Sequence, residues 1–275
     1  VTVGEWLVSA QARLAESGVG SPRLEAQLLA AHVFLVERVW VLAHPSTTIP
    51  EQAAEGLLAR RLSGEPLAYI LGWREFFGRR FSVGRGVLIP RQETEILVET
   101  CLRLGPAGPA RVLDVGTGSG ILAVTLSLER PEWDVWAVDL SPGALEMAAQ
   151  NSEDLAASVR FIESDLFGAN SLPADFDLIV SNPPYVGLED PLPVEVREFE
   201  PEEALFAGSD GLAVYRRLAL EAQGRLRRDG LMLLEVGDGM AAEVAELFQE
   251  AGWRVREAVN DLALMPRVLA LQSQV

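Results

Sequence analysis

The chain has 275 residues, 49% of them hydrophobic and 23% charged, which is ample for one large core or two modest ones. Its net charge of -17, with 40 acidic against 23 basic residues, argues against a chain that embraces DNA or RNA, because phosphates call for a basic face. A lone cysteine, Cys101, excludes an internal disulfide and fits a reducing compartment, and every apolar run is interrupted by charge before it reaches membrane-spanning length.

No basic segment followed by an apolar stretch opens the sequence, so the expectation is a soluble, cytoplasmic chain without a secretory leader. The two histidines, His32 and His44, belong to no cluster with metal-ligand spacing, so no metal is expected. Neither sits in a pattern that predicts a Ser-His-Asp triad. Cys101 lies in an apolar helical stretch and reads as a buried structural thiol.

The first seventy or so residues read as helices. Trp6, Leu7, Ala10 and Leu14 fall at helical spacing between Val3 and Ser17. Gly18-Val19-Gly20 breaks that helix. Ser21 as a cap and Pro22 at the first position start the next, and Ile49-Pro50-Glu51 opens another. Periodicity places Trp6 and Trp40 in a core rather than against a ligand. Aromatic and β-branched residues around Gly78 then predict a β-hairpin, either joining two domains or acting as a packed linker.

A helix is predicted from the Leu88–Glu95 block to about Leu104, closed by Gly105-Pro106-Ala107-Gly108-Pro109. Strands then alternate with helices. Strands are predicted near 111–115, 134–139, 159–163, 176–181, 231–236, 253–258 and 265–271. Helices are predicted near 119–129, 141–151, 211–227 and 240–251. This is the pattern of a doubly wound α/β sheet. The longest irregular stretch, Tyr185 to Gly211, is acidic and carries prolines, as functional lids often do.

Two motifs carry chemistry. Val112–Gly120 is a strand, a glycine turn and a helix start, where Gly116, Thr117, Gly118, Ser119 and Gly120 let backbone approach a ligand. Asp139 ends the next strand, where nucleoside-binding folds grip a ribose diol. The spacing G-x-G-x-G speaks against a dinucleotide. Asp165 and Phe167 follow the third strand. They can hold and cover an adenine, or Asp165 can cap a turn.

The second motif, Ser181-Asn182-Pro183-Pro184-Tyr185, ends the apolar run Phe176–Val180. Two prolines fix φ and remove two backbone donors, and Asn182 is held extended before Pro183. The turn presents one amide, carbonyls without competing N–H groups and a flat ring. That set suits a planar NH2 group. The alternative is a plain strand-ending turn.

Together these motifs resemble a class I, S-adenosylmethionine-dependent methyltransferase. The chain further resembles the release-factor glutamine methyltransferases, the HemK/PrmC family. The resemblance is carried by Phe77 to Phe81, Leu88 to Glu95, Gly116 to Gly120, Ala137 to Ser141, Asp177 to Tyr185 and Glu198 to Gly211. It implies an α/β fold: a Rossmann-like seven-stranded class I methyltransferase domain over 91–275, a small N-terminal α-helical substrate-docking domain over 1–72 and a β-hairpin linker over 73–90.

It also implies methyl transfer from S-adenosyl-L-methionine, leaving S-adenosyl-L-homocysteine, to the glutamine amide of the Gly-Gly-Gln loop of class I peptide release factors. Catalytic and substrate-binding roles fall to Asn182, Pro183, Pro184 and Tyr185, with Arg91 also at the substrate. Cofactor contacts fall to Gly116 through Gly120, Asp139, Asp165, Phe167 and Asn182. Arg91, Glu93 and Thr94 either line the cleft or start a helix with an ion pair. A monomer is expected, with no nucleic acid and no membrane as partner. Three sites depart from the family pattern: Phe167, often tryptophan there; Gln92-Glu93; and Asn260–Arg267, which lacks the usual glycine and acid. Two rivals remain: a methyltransferase acting on base amino groups, which use similar turns, and a non-catalytic cofactor-binding module.

Overall fold

The computed structural model describes residues 1–274. The chain divides into two compact units, Val1–Trp73 with Leu192–Phe199, and Arg74–Pro191 with Glu200–Val275.

The first unit is helical, with helices Val3–Glu16, Pro22–Phe34, Arg38–Ala43, Glu51–Leu62 and Leu67–Leu71. Thr2 and Glu5 form a reciprocal capping box at its start. Trp6, Leu14, Leu29, Val41, Leu58 and Ile70 meet in its core, while Trp40 is half-buried and stacks on His44 at 4.3 Å. Pro22 does occupy the first turn of its helix, but Ser21 makes no side-chain cap. Its ψ of 58° is not the extended conformation that aims a capping oxygen at the free N–H groups. The short helix Val194–Phe199 belongs to this unit, where Glu195 lies 3.1 Å from Arg61. Arg61 is also 2.6 Å from Glu25 and only 8% exposed, so one buried guanidinium is matched by two carboxylates.

The second unit begins with a hairpin, β1 (Trp73–Phe76) and β2 (Arg79–Ser82). Phe77 (φ 49°) and Gly78 (φ 70°) supply the paired left-handed residues of its tight turn. Phe76 and Phe81 are buried edge to face in the core beneath the helix Thr94–Leu104.

The main sheet contains β3 (Arg111–Val115), β4 (Asp134–Asp139), β5 (Val159–Glu163), β6 (Phe176–Ser181), β7 (Leu226–Glu235), β8 (Trp253–Asn260) and β9 (Pro266–Ser273). Their order is β5-β4-β3-β6-β7-β9-β8, with β9 antiparallel to both of its neighbours and the other pairs parallel. Apolar residues alternate between two cores. Val112, Leu178, Val180, Leu231 and Leu233 join one, while Leu113, Ile179, Met232 and Leu234 join the other. Such near-continuous apolar strands are what a sheet covered on both faces requires.

One boundary differs from expectation. The helix predicted to run to 227 ends at Glu221; a single 3-10 turn, Gln223–Arg225, follows and β7 starts at Leu226. Leu226 pairs with Phe176, after which the register shifts around Asp229 (φ 67°) and Gly230. That bulge hides the strand's first half from an alternation pattern. The 185–211 stretch is also more ordered than a bare loop. Val186 bridges Phe206, with Val186 N–H donating to Leu205 O and Ala207 N–H to Val186 O, both at 2.9 Å.

Candidate active site

Because β3 to β7 run parallel, their carboxyl ends share one edge, and the strand order reverses between β3 and β6. Open α/β sheets bind ligands at that reversal. The glycine turn leaves β3 there and Asn182 leaves β6. One cavity is lined by Gly116, Thr117, Gly118 and Ser119, by Leu88, Pro90, Arg91 and Thr94, and by Asn182.

The turn is held from below. Gly116 and Thr117 donate their N–H groups to Val138 O at 2.9 and 3.0 Å. Gly118 N–H donates to Asp139 Oδ2 at 2.8 Å, and Ser141 N–H to Asp139 Oδ1 at 2.9 Å. Asp139 is thereby fixed at the end of β4 while each oxygen keeps a lone pair. Gly116 (φ 74°) and Gly118 (φ 55°) adopt backbone that side chains disfavour, and a Cβ on either would project into open space. Gly120 serves packing instead, since a Cβ there would lie 3.0 Å from Ala148 Cβ.

Across the reversal, Ser181 is buried and donates its hydroxyl to Val115 O at 2.7 Å, tying β6 to the end of β3. Asn182 is half-buried, and its Nδ2 donates to Thr94 Oγ1 at 3.2 Å. Of the tetrapeptide, Asn182 alone contributes to the cavity wall. Pro183 is buried; Pro184 and Tyr185 are half-buried. Tyr185 is seated where two glycines leave room. A Cβ on Gly237 would stand 2.8 Å from its ring, and one on Gly211 would stand 2.3 Å from its carbonyl oxygen. Burial pushes the Tyr185 hydroxyl up, helped by Glu235 and opposed by Arg91.

Arg91 reaches the cavity but is already paired, with Nη2 donating to Glu200 Oε1 at 2.6 Å. Thr94 also lines the cavity, whereas Glu93 is exposed at the helix start and is not part of the wall. Two expected residues are not brought to it. Asp165 is exposed and paired with Arg217 at 2.7 Å. Phe167 is 4% exposed in the same core as Leu172 and Phe176.

Three acids organise the site without having been singled out in the sequence. Asp114, on β3 and wholly buried, accepts from Thr117 Oγ1 at 2.6 Å and from Ala123 N–H at 3.2 Å. Burial pushes its carboxyl up to about 7. Glu200, 5% exposed, accepts from Ile89 N–H at 3.0 Å as well as from Arg91. Glu235, the last residue of β7, is 3% exposed, its Oε2 is buried without a hydrogen-bond partner, and burial pushes its carboxyl up to about 7. The available signal was an acid inside an apolar strand, as at Asp114 and Glu235, since such acids are seldom buried without a task.

The PrmC N-terminal domain matches residues 5–72, and the methyltransferase small domain matches residues 92–192. Among curated proteins, the release factor glutamine methyltransferase of Bordetella pertussis is 45% identical over 255 residues, covering 90% of this chain and 94% of that one. The one from Koribacter versatilis is 42% identical over 275 residues, covering 98% of each. The chain belongs to the release factor glutamine methyltransferase family. Among solved structures, a methyltransferase from Pyrococcus furiosus superposes with a TM-score of 0.56 at 19% identity, covering 80% of this chain and all of that one, a likeness of fold.

The family uses S-adenosylmethionine, and the residues present fit it. The open space over Gly116 and Gly118 and the free lone pairs of Asp139 suit a nucleoside with a short polar tail. Among the described residues, no group of His, Cys, Asp or Glu is placed to hold a metal ion, and no helix is long and apolar enough to cross a membrane.

Proposed function

We propose that this chain methylates the side-chain amide nitrogen of the glutamine in the Gly-Gly-Gln loop of class I release factors. The observation that carries the reading is that Asn182 and the glycine turn line one cavity, which supports an amide-gripping role for Asn182 beside a cofactor held by the turn. The names of the relatives supply the substrate. Gly116 to Gly120 and Asp139 would hold the cofactor, which supplies an electrophilic methyl group on a sulfonium sulfur.

The chain's task is to orient a poor nucleophile. A carboxamide nitrogen has its lone pair delocalised into the carbonyl. Asn182 Oδ1 and the Pro183 carbonyl accept the two N–H donors of the substrate amide. With both hydrogens held, the nitrogen is turned toward its partner, and positive charge growing on it is stabilised by two fixed dipoles. Pro183 and Pro184 have no N–H to compete for these acceptors. Tyr185 closes against the flat amide. Once the methyl group is bonded, the nitrogen is strongly acidic and its extra proton passes to solvent.

The rival is methylation of an exocyclic base amine, which offers the same planar NH2. The net charge of -17 opposes it. Labelled methyl transfer to purified release factor, compared with bulk DNA and RNA, separates the two. Mass spectrometry should place one methyl group on the glutamine of the Gly-Gly-Gln loop. Transfer to nucleic acid alone would overturn the reading.

A further inference from the structure

A side-chain amide offers two donors and an acceptor at fixed angles, so one asparagine can hold backbone from two segments at once. Asn151 does this. It lies on the helix Pro142–Asp154, which follows β4, and is 1% exposed. Its Oδ1 accepts from Ser82 N–H at 2.7 Å, and its Nδ2 donates to Ser82 O at 3.0 Å and to Ser119 O at 2.8 Å. The first two bonds serve both backbone groups of the last residue of β2, as a neighbouring strand would. The third reaches the glycine turn. Turned over, the amide would set its oxygen against two carbonyls, so its partners fix its orientation.

The two segments lead into two walls of one cavity. Ser119 belongs to the wall formed by the glycine turn. Ser82 leads through the buried Val83 and Val87 to Leu88, Pro90 and Arg91, which form another. The same turn of helix packs on both. A Cβ on Gly120 would lie 3.0 Å from Ala148 Cβ, and one on Gly84 would meet Met147 Cε at 3.7 Å. We infer that Asn151 is a positioning residue that sets the spacing of these two walls. It thereby ties the fit of the cofactor on the glycine turn to the segment 82–91.

Hydrogen bonding, more than volume, does the setting. With Asn151 truncated, Ser119 O and both backbone groups of Ser82 lose their partner, and each segment shifts to find another. An aspartate separates the two causes. It has the same size and still accepts from Ser82 N–H, but its second oxygen meets the carbonyls of Ser82 and Ser119 with lone pairs. It pushes the walls apart where alanine only releases them.

The effect on methyl transfer rests on the glutamine-methylation reading; the effect on cofactor binding does not. S-adenosylmethionine binding to the full chain, measured by titration calorimetry, should weaken about tenfold in Asn151→Ala and at least as much in Asn151→Asp. Trp253→Phe removes a buried hydrogen bond to Ala219 O from β8, at the outer edge of the sheet, and should lose stability while keeping the wild-type Kd. In the 15N-labelled wild type, the cofactor should slow exchange of the Ser82 amide proton by about threefold or more, although Ser82 lies outside the cavity lining. In Asn151→Asp it should not. Single-turnover methylation of release factor at saturating cofactor should fall about tenfold in both Asn151 variants. A wild-type Kd in Asn151→Asp overturns the inference, as does equal weakening in Trp253→Phe. A Ser82 amide indifferent to cofactor in the wild type also overturns it, even if neither Asn151 variant folds. Weakened binding and a coupled Ser82 amide, with no methyl transfer by the wild type, uphold the tie between the walls and count against the substrate reading instead.

Discussion

Arg91 and Glu200, 109 positions apart, form an ion pair in which Arg91 Nη2 lies 2.6 Å from Glu200 Oε1. The other Glu200 oxygen accepts from Ile89 N–H. One carboxylate therefore pins two of the three residues Ile89-Pro90-Arg91, and two of those three line the cavity. Glu200→Ala would leave a buried N–H without an acceptor and a guanidinium without a partner. Its expected cost is about 2–4 kcal/mol in urea unfolding, with a raised KM for methylation. Glu200→Gln keeps an acceptor for Ile89 and should lose less than half as much.

Gly211 tests the seating of Tyr185. A Cβ there would stand 2.3 Å from Tyr185 O, and the residue has φ of 73°. The obstacle is backbone, so no side-chain rotation relieves it. Gly211→Ala should destabilise the chain by about 1–3 kcal/mol from strain, and lower kcat/KM further by displacing the tyrosine. Equilibrium unfolding and steady-state kinetics measure the two effects separately.

Much of this was legible in the sequence, and the reason is local. β3, β4, β5 and β6 are short apolar runs bounded by turn residues, so their limits match expectation. The glycine turn and the tetrapeptide are contiguous motifs whose backbone constraints are written in their own residues. What stayed hidden depends on distant partners. Thr94 meets Asn182 across 88 positions, and nothing in either neighbourhood announces it. Phe167 follows a strand end in the sequence, and its packing with Leu172 and Phe176 could not be read there. The start of β7 was concealed by its bulge.

Stability should depend on pH through the two buried acids. Asp114 and Glu235 have folded-state pKa values raised from 3.8 and 4.5 to about 7. A raised carboxyl binds its proton more tightly when folded, so its contribution is full below the unfolded value and is lost as pH rises toward 7. Between about pH 5 and pH 7 each should remove up to about 1.4 kcal/mol of unfolding free energy per pH unit. The lowered acids, such as Asp210 at about 2, lose their contribution only in strong acid and stay silent in this window. Urea midpoints of the wild type should therefore fall from pH 5 to pH 7, and Asp114→Asn should flatten that slope.

The central claim is that Asn182 orients the substrate amide beside the cofactor cradle. Single-turnover methyl transfer to release factor by Asn182→Ala, with cofactor affinity and folding checked alongside, tests it most directly. The expected result is a rate lower by about 10²–10³ with cofactor binding intact. A folded Asn182→Ala protein that methylates the glutamine at close to the wild-type rate would contradict the account.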